Sequence, residues 1–399
     1  MMDKEDLRDV LNWDRCKECG ECLINCRYMD FSKQEAIEEI KKINRGDVVS
    51  SKVIKRCISC YACDAFCPND AHPYERIVYN WDYRYKIKGL PIRASYLMPT
   101  RRPNFRQDLP YSSKEKALHR KWASETPPAK VVLYPGCNLL SMPLLAQGEI
   151  FDKLPVWGSW DKCCGEMYFR MGLLDPVAKI AEKLTKFYKG KDIEEMVFVC
   201  PAGYNMFTNV LPEQFGAKFP FKTTFFTDWF LNEWEKGTFE IKNRLHESVV
   251  MHDSCHGRIL GDDFMNRQRS LLERLGLTIH ETSQNRTHGL CCGVAAGCNK
   301  YSVLDLLLNG MKQLWTLDRA KGDEVAIYCT GCLLTLSCLR LLNPFGKRLV
   351  HTLEYARNAL GESVPRGNQT KALWVLLGIT RYALPTYFSS QRFYVNSEQ

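Results

Sequence analysis

From about residue 129 onward the apolar positions switch between a strand-like and a helix-like pattern. Short β-branched or apolar runs at Val131 to Leu133, Val197 to Val199, Val249 to Met251 and Val325 to Tyr328 each lead directly into a cysteine and read as buried strands. Helical spacing follows some of these runs. Ile180, Ala181, Leu184 and Phe187 recur at intervals of one helix face, as do Val303, Leu306, Leu307, Met311 and Leu314. Alternating strands and helices predict an α/β layer structure for this part of the chain. Upstream, SKQEAIEEIKKINRG reads as a separate helix: Ser32 and Glu35 are spaced as a capping box, Ile37, Ile40 and Ile43 fall on one face, and Gly46 supplies the stop.

Two further apolar stretches are poor membrane spans. Val131 to Gly148 is interrupted by Pro135, Gly136, Asn138, Pro143 and Gln147, and ALWVLLGIT at 372 to 380 has half the length needed. The second stretch opens a tail in which Trp374, Tyr382, Tyr387, Phe388, Phe393 and Tyr394 mix with Arg381 and Arg392, a pattern that suits either core packing or the docking of a partner or membrane surface.

With 399 residues, 45% hydrophobic and 25% charged, the chain is long and apolar enough for two or three folded domains, which excludes intrinsic disorder. The net charge of +9 is localised: residues 84 to 121 hold eleven Lys/Arg against only Asp108 and Glu115. With Pro91, Pro99, Pro103 and Pro110 interspersed, that segment reads as an irregular, solvated basic linker, with an acidic partner or anionic lipid as alternatives. No nucleic-acid fold motif accompanies the charge, so nucleic acid is not an expected partner. The start, MMDKEDLRDV, has acids where a signal peptide needs basic residues, so the expected location is cytoplasmic, with peripheral attachment to the inner face of a membrane left open.

The composition stands out in one respect, its 19 cysteines. An odd total, clustered at two-residue spacings in a long chain, points to metal ligation rather than a disulfide framework. Cys16, Cys19, Cys22 and Cys26 form C-x2-C-x2-C-x3-C, and Cys57, Cys60, Cys63 and Cys67 repeat it, with Pro68 after the last. This is the bacterial ferredoxin spacing in duplicate, in which three cysteines hold one cluster and the fourth reaches to the other. The expected sets are therefore Cys16, Cys19, Cys22 and Cys67 for one [4Fe-4S] cluster, and Cys57, Cys60, Cys63 and Cys26 for the second. A zinc site needs four thiolates and explains neither the eight nor their matched spacing. Arg27 departs from the pattern where a proline often follows the fourth cysteine.

The region from 129 to 360 repeats internally. VVLYPGC ending at Cys137 matches VVMHDSC ending at Cys255, KCCG at 162 to 165 matches LCCG at 290 to 293, and VFVCPAG around Cys200 matches AIYCTGC around Cys329. The offsets of 118, 128 and 129 residues are of domain size, so this is a duplication and not a solenoid. The second copy is complete, with Cys255, Cys291, Cys292, Cys329 and Cys332. Five thiolates exceed a tetrahedral zinc or the four corners of a simple cube, which favours a multi-iron centre with one spectator or an atypical cluster. The first copy has Cys137, Cys163, Cys164 and Cys200, but Gly203 stands in the fifth position and the first interval is 25 residues in place of 35. Its four cysteines suit a [4Fe-4S] cluster, a zinc ion, an altered noncubane centre or an empty site. Cys298 and Cys338 read as buried structural cysteines, and His252, His256 and His288 as hydrogen-bonded structural groups, with proton donation to a leaving thiolate the functional alternative.

A double ferredoxin motif followed by two CCG cysteine motifs resembles the D-type subunits of the heterodisulfide reductase family. The layout is similar also to the iron-sulfur subunits of the sulfite-reduction-associated membrane complex, of anaerobic glycerol-3-phosphate dehydrogenase and of glycolate oxidase. The resemblance implies that Cys255, Cys291, Cys292, Cys329 and Cys332 bind a noncubane [4Fe-4S] cluster that cleaves a disulfide. It implies an α+β multidomain chain: a two-cluster ferredoxin-like module at 1–83, the basic linker at 84–128, a degenerate CCG domain at 129–240, a complete one at 245–360 and a tail at 361–399. The expected activity is that of an oxidoreductase subunit which passes electrons to that cluster and reduces a small-molecule or protein disulfide. Its expected partners are a flavoprotein or a membrane cytochrome/quinone module. The alternative is an electron conduit between a flavoprotein dehydrogenase and a quinone, without a substrate of its own. No P-loop, GxGxxG or GxSxG element is present, so nucleotide, flavin or serine-hydrolase chemistry would come from another subunit.

Overall fold

The computed structural model describes residues 12–99, 101–364 and 368–395. The opening MMDKEDLRDV and the last four residues of the tail lie outside them. The cysteine-rich amino-terminal module is helical. Its principal helices, Lys33–Arg45 and Pro73–Lys88, pack against each other and bury Ala36, Ile40, Ile43, Tyr74, Ile77 and Val78. The first begins in the expected capping box, with Ser32 and Glu35 exchanging hydrogen bonds, and ends at Gly46 in a left-handed conformation (φ 76°).

After β1 (Leu90–Pro91), two parallel sheets follow. β2 (Val131–Tyr134), β3 (Glu195–Phe198) and β4 (Lys222–Phe225) lie in the order β2-β3-β4. β5 (Ser248–His252), β6 (Thr278–His280), β7 (Glu324–Ile327) and β8 (Arg348–His351) lie in the order β6-β5-β7-β8. All four expected strand runs are present and their central residues are buried, as parallel strands covered on both faces require. The helices expected from periodicity are Leu174–Tyr188 and Val303–Arg319. The architecture is mixed α and β, with a ferredoxin-like amino-terminal module and parallel-sheet cysteine-rich repeats.

The ten-residue difference between the copies has a structural counterpart. In the second copy the interval from Cys255 to Cys291 holds the long helix Cys255–Arg274 and β6, which pairs with β5. In the first copy the same interval contains only short helices, and the place of β6 is reduced to a single bridge, Leu133 to Val156.

The segment expected as a solvated, irregular linker is ordered and partly buried. It completes the helix ending at Lys88, forms a 3-10 turn at Ile92–Leu97 and a capped helix at Ser113–Trp122, and inserts Phe105, Leu109 and Trp122 into the core. Several of its cations meet acceptors within the protein. Arg93 donates to the Tyr301 and Tyr387 carbonyls, and buried Arg106 donates to Asn138 Oδ1 at 2.9 Å. Proline content and charge in one dimension gave no sign of these acceptors, which lie far away in sequence.

The tail continues this strap. β9 (Arg392–Phe393) pairs antiparallel with β1, and Tyr382 stacks on Tyr96. Ala372, on the helix Asn368–Gly378, packs against Cys338 of the buried helix Thr330–Arg340. Part of the tail therefore belongs to the core, while Trp374 and Phe388 remain exposed. Among the described residues no helix is long and apolar enough to cross a membrane.

Candidate redox site

The two amino-terminal cysteine runs share one backbone path. Two and four residues after Cys16, Glu18 and Gly20 are left-handed (φ 52° and 79°); at the same offsets from Cys57, Ser59 and Tyr61 are left-handed too (φ 62° and 63°). This turn wraps three cysteines around one point, and in the second run it does so with side chains that rarely tolerate positive φ. Cys16, Cys19 and Cys22 line one cavity together with Cys67, beside Ile40, Pro73 and Arg76. Cys57, Cys60 and Cys63 line another together with Cys26, under Tyr28, Tyr61 and Tyr74. The fourth cysteine of each run thus stands with the other run's triplet. Burial, together with neighbouring sulfurs, pushes the thiols of Cys22, Cys57 and Cys63 far up, so holding these groups as thiolates calls for a cationic ligand. Each cavity, with four sulfurs and an apolar rim, fits a [4Fe-4S] cube in donor number and type.

The second repeat places its cysteines where strands end and helices begin. Cys255 opens the helix Cys255–Arg274 just after β5. Cys291 and Cys292 precede Val294–Lys300, and Cys329 caps Thr330–Arg340 with Cys332 in its first turn. Gly293 (φ 96°) permits the Cys-Cys turn: a Cβ there would lie 2.4 Å from the Leu306 carbonyl oxygen and 2.9 Å from Gly310. Successive sulfurs lie within hydrogen-bonding reach in the sequence Cys255, Cys291, Cys292, Cys332, Cys329. All five residues are buried. Hydrogen bonds from Cys291 and Cys332 bring the Cys292 thiol down to about 6, and those from Cys200 and Cys332 hold Cys329 well below the usual thiol range. Five contiguous sulfurs exceed the needs of one tetrahedral ion and fit a multi-iron group.

The first repeat brings together Cys137, Cys163 and Cys164, again ahead of a left-handed glycine, Gly165 (φ 81°). Cys200 is different. Its first sulfur partner is Cys329 of the second repeat, so the two copies meet sulfur to sulfur. At Gly203, in the fifth-cysteine position, a Cβ would lie 3.4 Å from the Tyr134 ring. The residue matching Tyr134 in the second copy is His252, a smaller ring held by Gln313 at 2.9 Å.

The charged groups around the second-copy sulfurs come largely from elsewhere in the chain. Arg170, buried on the short helix Glu166–Arg170 after the first CCG motif, donates to Cys255 Sγ at 3.5 Å, to Glu166 at 2.6 Å and to the Ser59 carbonyl of the ferredoxin loop. His256 lies 3.6 Å from Cys255 Sγ through Nδ1 and 3.3 Å from Glu166 through Nε2. Burial alone would lower its pKa, but the Cys255 charge and hydrogen bond, together with Glu166, raise it to about 9. Arg258 donates to the Cys60 carbonyl at 2.6 Å and also to the Gly289 carbonyl, while the Cys291 amide donates to the Tyr28 hydroxyl at 2.7 Å. Asn299 reaches the Cys57 carbonyl at 2.7 Å. The second repeat therefore abuts the Cys26, Cys57, Cys60 and Cys63 cavity directly.

Glu166, Arg170, Arg258 and Tyr28 were not singled out by the sequence. The available signal was an i,i+4 acid–base pair immediately after a CCG motif, at positions where the second copy has Val294 and Cys298. The remaining histidines and cysteines have structural partners: His288 meets Arg27 at 2.8 Å and the Phe66 ring, and Cys298 meets Met167 at 3.6 Å.

Residues 13–72 match the 4Fe-4S dicluster domain, and residues 249–337 match the Cysteine-rich domain of the CCG type. Among curated proteins the chain is similar to the "Probable iron-sulfur-binding oxidoreductase FadF" of Bacillus subtilis (strain 168), 23% identical over 63% of this chain. The chain spans 38% of that relative's length. Among solved structures, a glutamate racemase from Campylobacter jejuni subsp. jejuni aligns at 15% identity with a TM-score of 0.31, over 62% of this chain and 99% of the racemase. With its dicluster module and CCG domain, the chain is of the iron-sulfur, oxidoreductase-like electron-transfer kind.

Proposed function

We propose that this chain receives electrons at the ferredoxin-like module and delivers them to the five-cysteine site of the second repeat, where a disulfide is reduced. The carrying observation is the junction between the Cys26, Cys57, Cys60 and Cys63 cavity and that site, bridged by Arg258 on Cys60, Tyr28 on Cys291 and Arg170 between Ser59 and Cys255. In this reading the two ferredoxin sets, Cys16, Cys19, Cys22, Cys67 and Cys57, Cys60, Cys63, Cys26, hold [4Fe-4S] clusters. Cys255, Cys291, Cys292, Cys329 and Cys332 hold a noncubane cluster. Cys137, Cys163 and Cys164, with Cys200 turned toward Cys329, hold a further [4Fe-4S] cluster or a zinc ion. When bound, these groups supply one-electron carriers in series. The protein's own part is charge and proton management: Arg170 and Arg258 offset sulfur charge, and His256 holds a proton next to Cys255.

Disulfide reduction consumes two electrons and two protons to give two thiols. The proposed setting is cytoplasmic or peripheral on the inner membrane face, with a flavoprotein or a membrane cytochrome/quinone module as the electron partner. Cys332→Ser in the iron-loaded protein is expected to abolish reductant-driven disulfide cleavage while the ferredoxin signals persist. Intact cleavage in that variant would overturn the reading. A second reading, a conduit to a quinone or other carrier without its own substrate, is favoured by the burial of all five second-copy cysteines, each at most 7% exposed.

A further inference from the structure

Beyond the cysteines, one cluster in the ferredoxin-like module has the donors of a metal site. Asp64, on the short helix that carries Cys63, His72, and Glu75 in the first turn of Pro73–Lys88 each present one donor atom, and these three atoms lie within 4.8 Å of one another. The carboxylates are poorly compensated by the protein. Glu75 is 6% exposed, and both its Oε2 and Asp64 Oδ2 are buried without a hydrogen-bond partner. Asp64 uses only Oδ1, accepting from the Tyr74 amide at 2.7 Å, which leaves Oδ2 for the cluster. Two buried carboxyls facing each other at this range demand a proton or a cation between them.

The histidine is oriented for the same point. Its Nε2 lies 3.5 Å from Asp70 Oδ1, and its Nδ1 faces Glu75 Oε2 at 3.8 Å. The Asp70 carboxylate stands near the outer nitrogen while the inner one faces Glu75, an arrangement of the kind in which histidines commonly ligate metals. The His72 side chain is 31% exposed, so one side of the cluster is open to solvent for water ligands. Glu213, on the helix Leu211–Phe215 of the first repeat, lies within electrostatic range of His72 and adds negative potential across the module boundary.

We infer that Asp64, His72 and Glu75 bind one divalent cation through two carboxylate oxygens and one imidazole nitrogen, at a site separate from the cysteine centres. Two oxygens and one nitrogen suit Mn2+, Fe2+ or Zn2+, with water completing the shell. The site would pin the Cys63 to Cys67 loop to the start of the second long helix. It stands independently of which electron acceptor the chain serves.

The test uses the iron-loaded full chain under anaerobic conditions and Mn2+ as the probe, because Mn2+ prefers oxygen and nitrogen donors to thiolates. Free Mn2+ is followed by its EPR signal during titration, with iron and sulfide counted on each sample. The expected result is one saturable Mn2+ per chain, weakened at least tenfold in Glu75→Gln and in His72→Gln at unchanged iron content. His72→Gln decides the matter if Glu75→Gln loses iron, since His72 is partly exposed. No saturable Mn2+ in the wild type, or equal affinity in wild type and His72→Gln, would overturn the site and leave a proton shared between the two carboxyls.

Discussion

The two cysteine-rich repeats share strand order around their sites and share the CCG turn, yet differ in what surrounds the sulfurs. The second copy has five cysteines, a long helix beginning at Cys255 and the extra strand β6. The first has lost the fifth cysteine to Gly203, has Tyr134 beside that position, and has reduced the extra strand to one bridge. Where the second copy has Val294 and Cys298, the first has Glu166 and Arg170, and both face the second copy's Cys255 and His256. The difference teaches that the two copies are not independent sites: the first repeat, with the smaller sulfur set, carries the ion pair that flanks the five-sulfur site of the second.

The comparison breaks first at the cysteines themselves. Replacing Cys292 by Ser is expected to remove the second-copy iron and lower disulfide reduction by roughly a hundredfold or more, whereas Cys163→Ser leaves that iron in place. Iron counts and turnover on both variants check this, and equal losses would erase the distinction between the copies.

Next in size is Arg170→Gln. Breaking a buried ion pair costs up to about 3–5 kcal/mol, and the loss here is expected toward the low end of that range, because Glu166 would keep the His256 imidazolium 3.3 Å away as its remaining positive partner. Thermal unfolding should register that loss. A redox titration should show a lower reduction potential at the second-copy site, since a positive donor to Cys255 is gone, and Arg170→Lys should recover part of both. A fall in stability with an unmoved potential would make Arg170 purely structural.

Gly203→Cys sharpens the comparison from the other side. A Cβ there would make ordinary van der Waals contact with the Tyr134 ring at 3.4 Å and the Phe198 ring at 3.6 Å, so only the added thiol has to find room, and a loss of about 1 kcal/mol is expected, relieved in a Tyr134→His, Gly203→Cys double variant that copies the second repeat. Denaturation of the single and double variants measures this. Equal stabilities would show that Tyr134 does not guard the position.

The smallest expected effect is a pH dependence in the helical module. Burial would raise the Glu39 carboxyl, but hydrogen bonds from Lys42, Ser51 and the Val53 amide outweigh it and hold it below its ordinary 4.5. A carboxyl lowered on folding stabilises above its unfolded pKa, and that contribution is lost as pH falls below about 4.5 through the folded value. Glu39→Gln should therefore flatten the acid side of the stability profile while leaving neutral stability modestly reduced. An unchanged acid slope would contradict the role given to Glu39.

Much of the fold was legible because its signals are local. The capping box at Ser32 and Glu35, the buried runs entering each cysteine and the repeated CCG turn all lie within a few residues. The cysteine groupings were legible for the same reason, since spacing alone brought each triplet to one turn. What was hidden depends on distance in sequence. Arg106 meets Asn138, Arg258 meets Cys60 and Cys200 turns to Cys329, and no spacing rule connects such pairs. The basic segment misled because proline and charge indicate solvation only when the cations lack partners, and the fold supplies several of them.

The most direct test of the central claim is EPR on the anaerobically purified, oxidised, iron-loaded protein, with and without added thiol, alongside iron, sulfide and zinc counts. The account predicts a paramagnetic signal in the oxidised state that shifts with thiol and disappears in Cys255→Ser. An oxidised protein that is EPR-silent and unmoved by thiol, despite full iron content, would contradict disulfide reduction at the second repeat and leave the electron conduit.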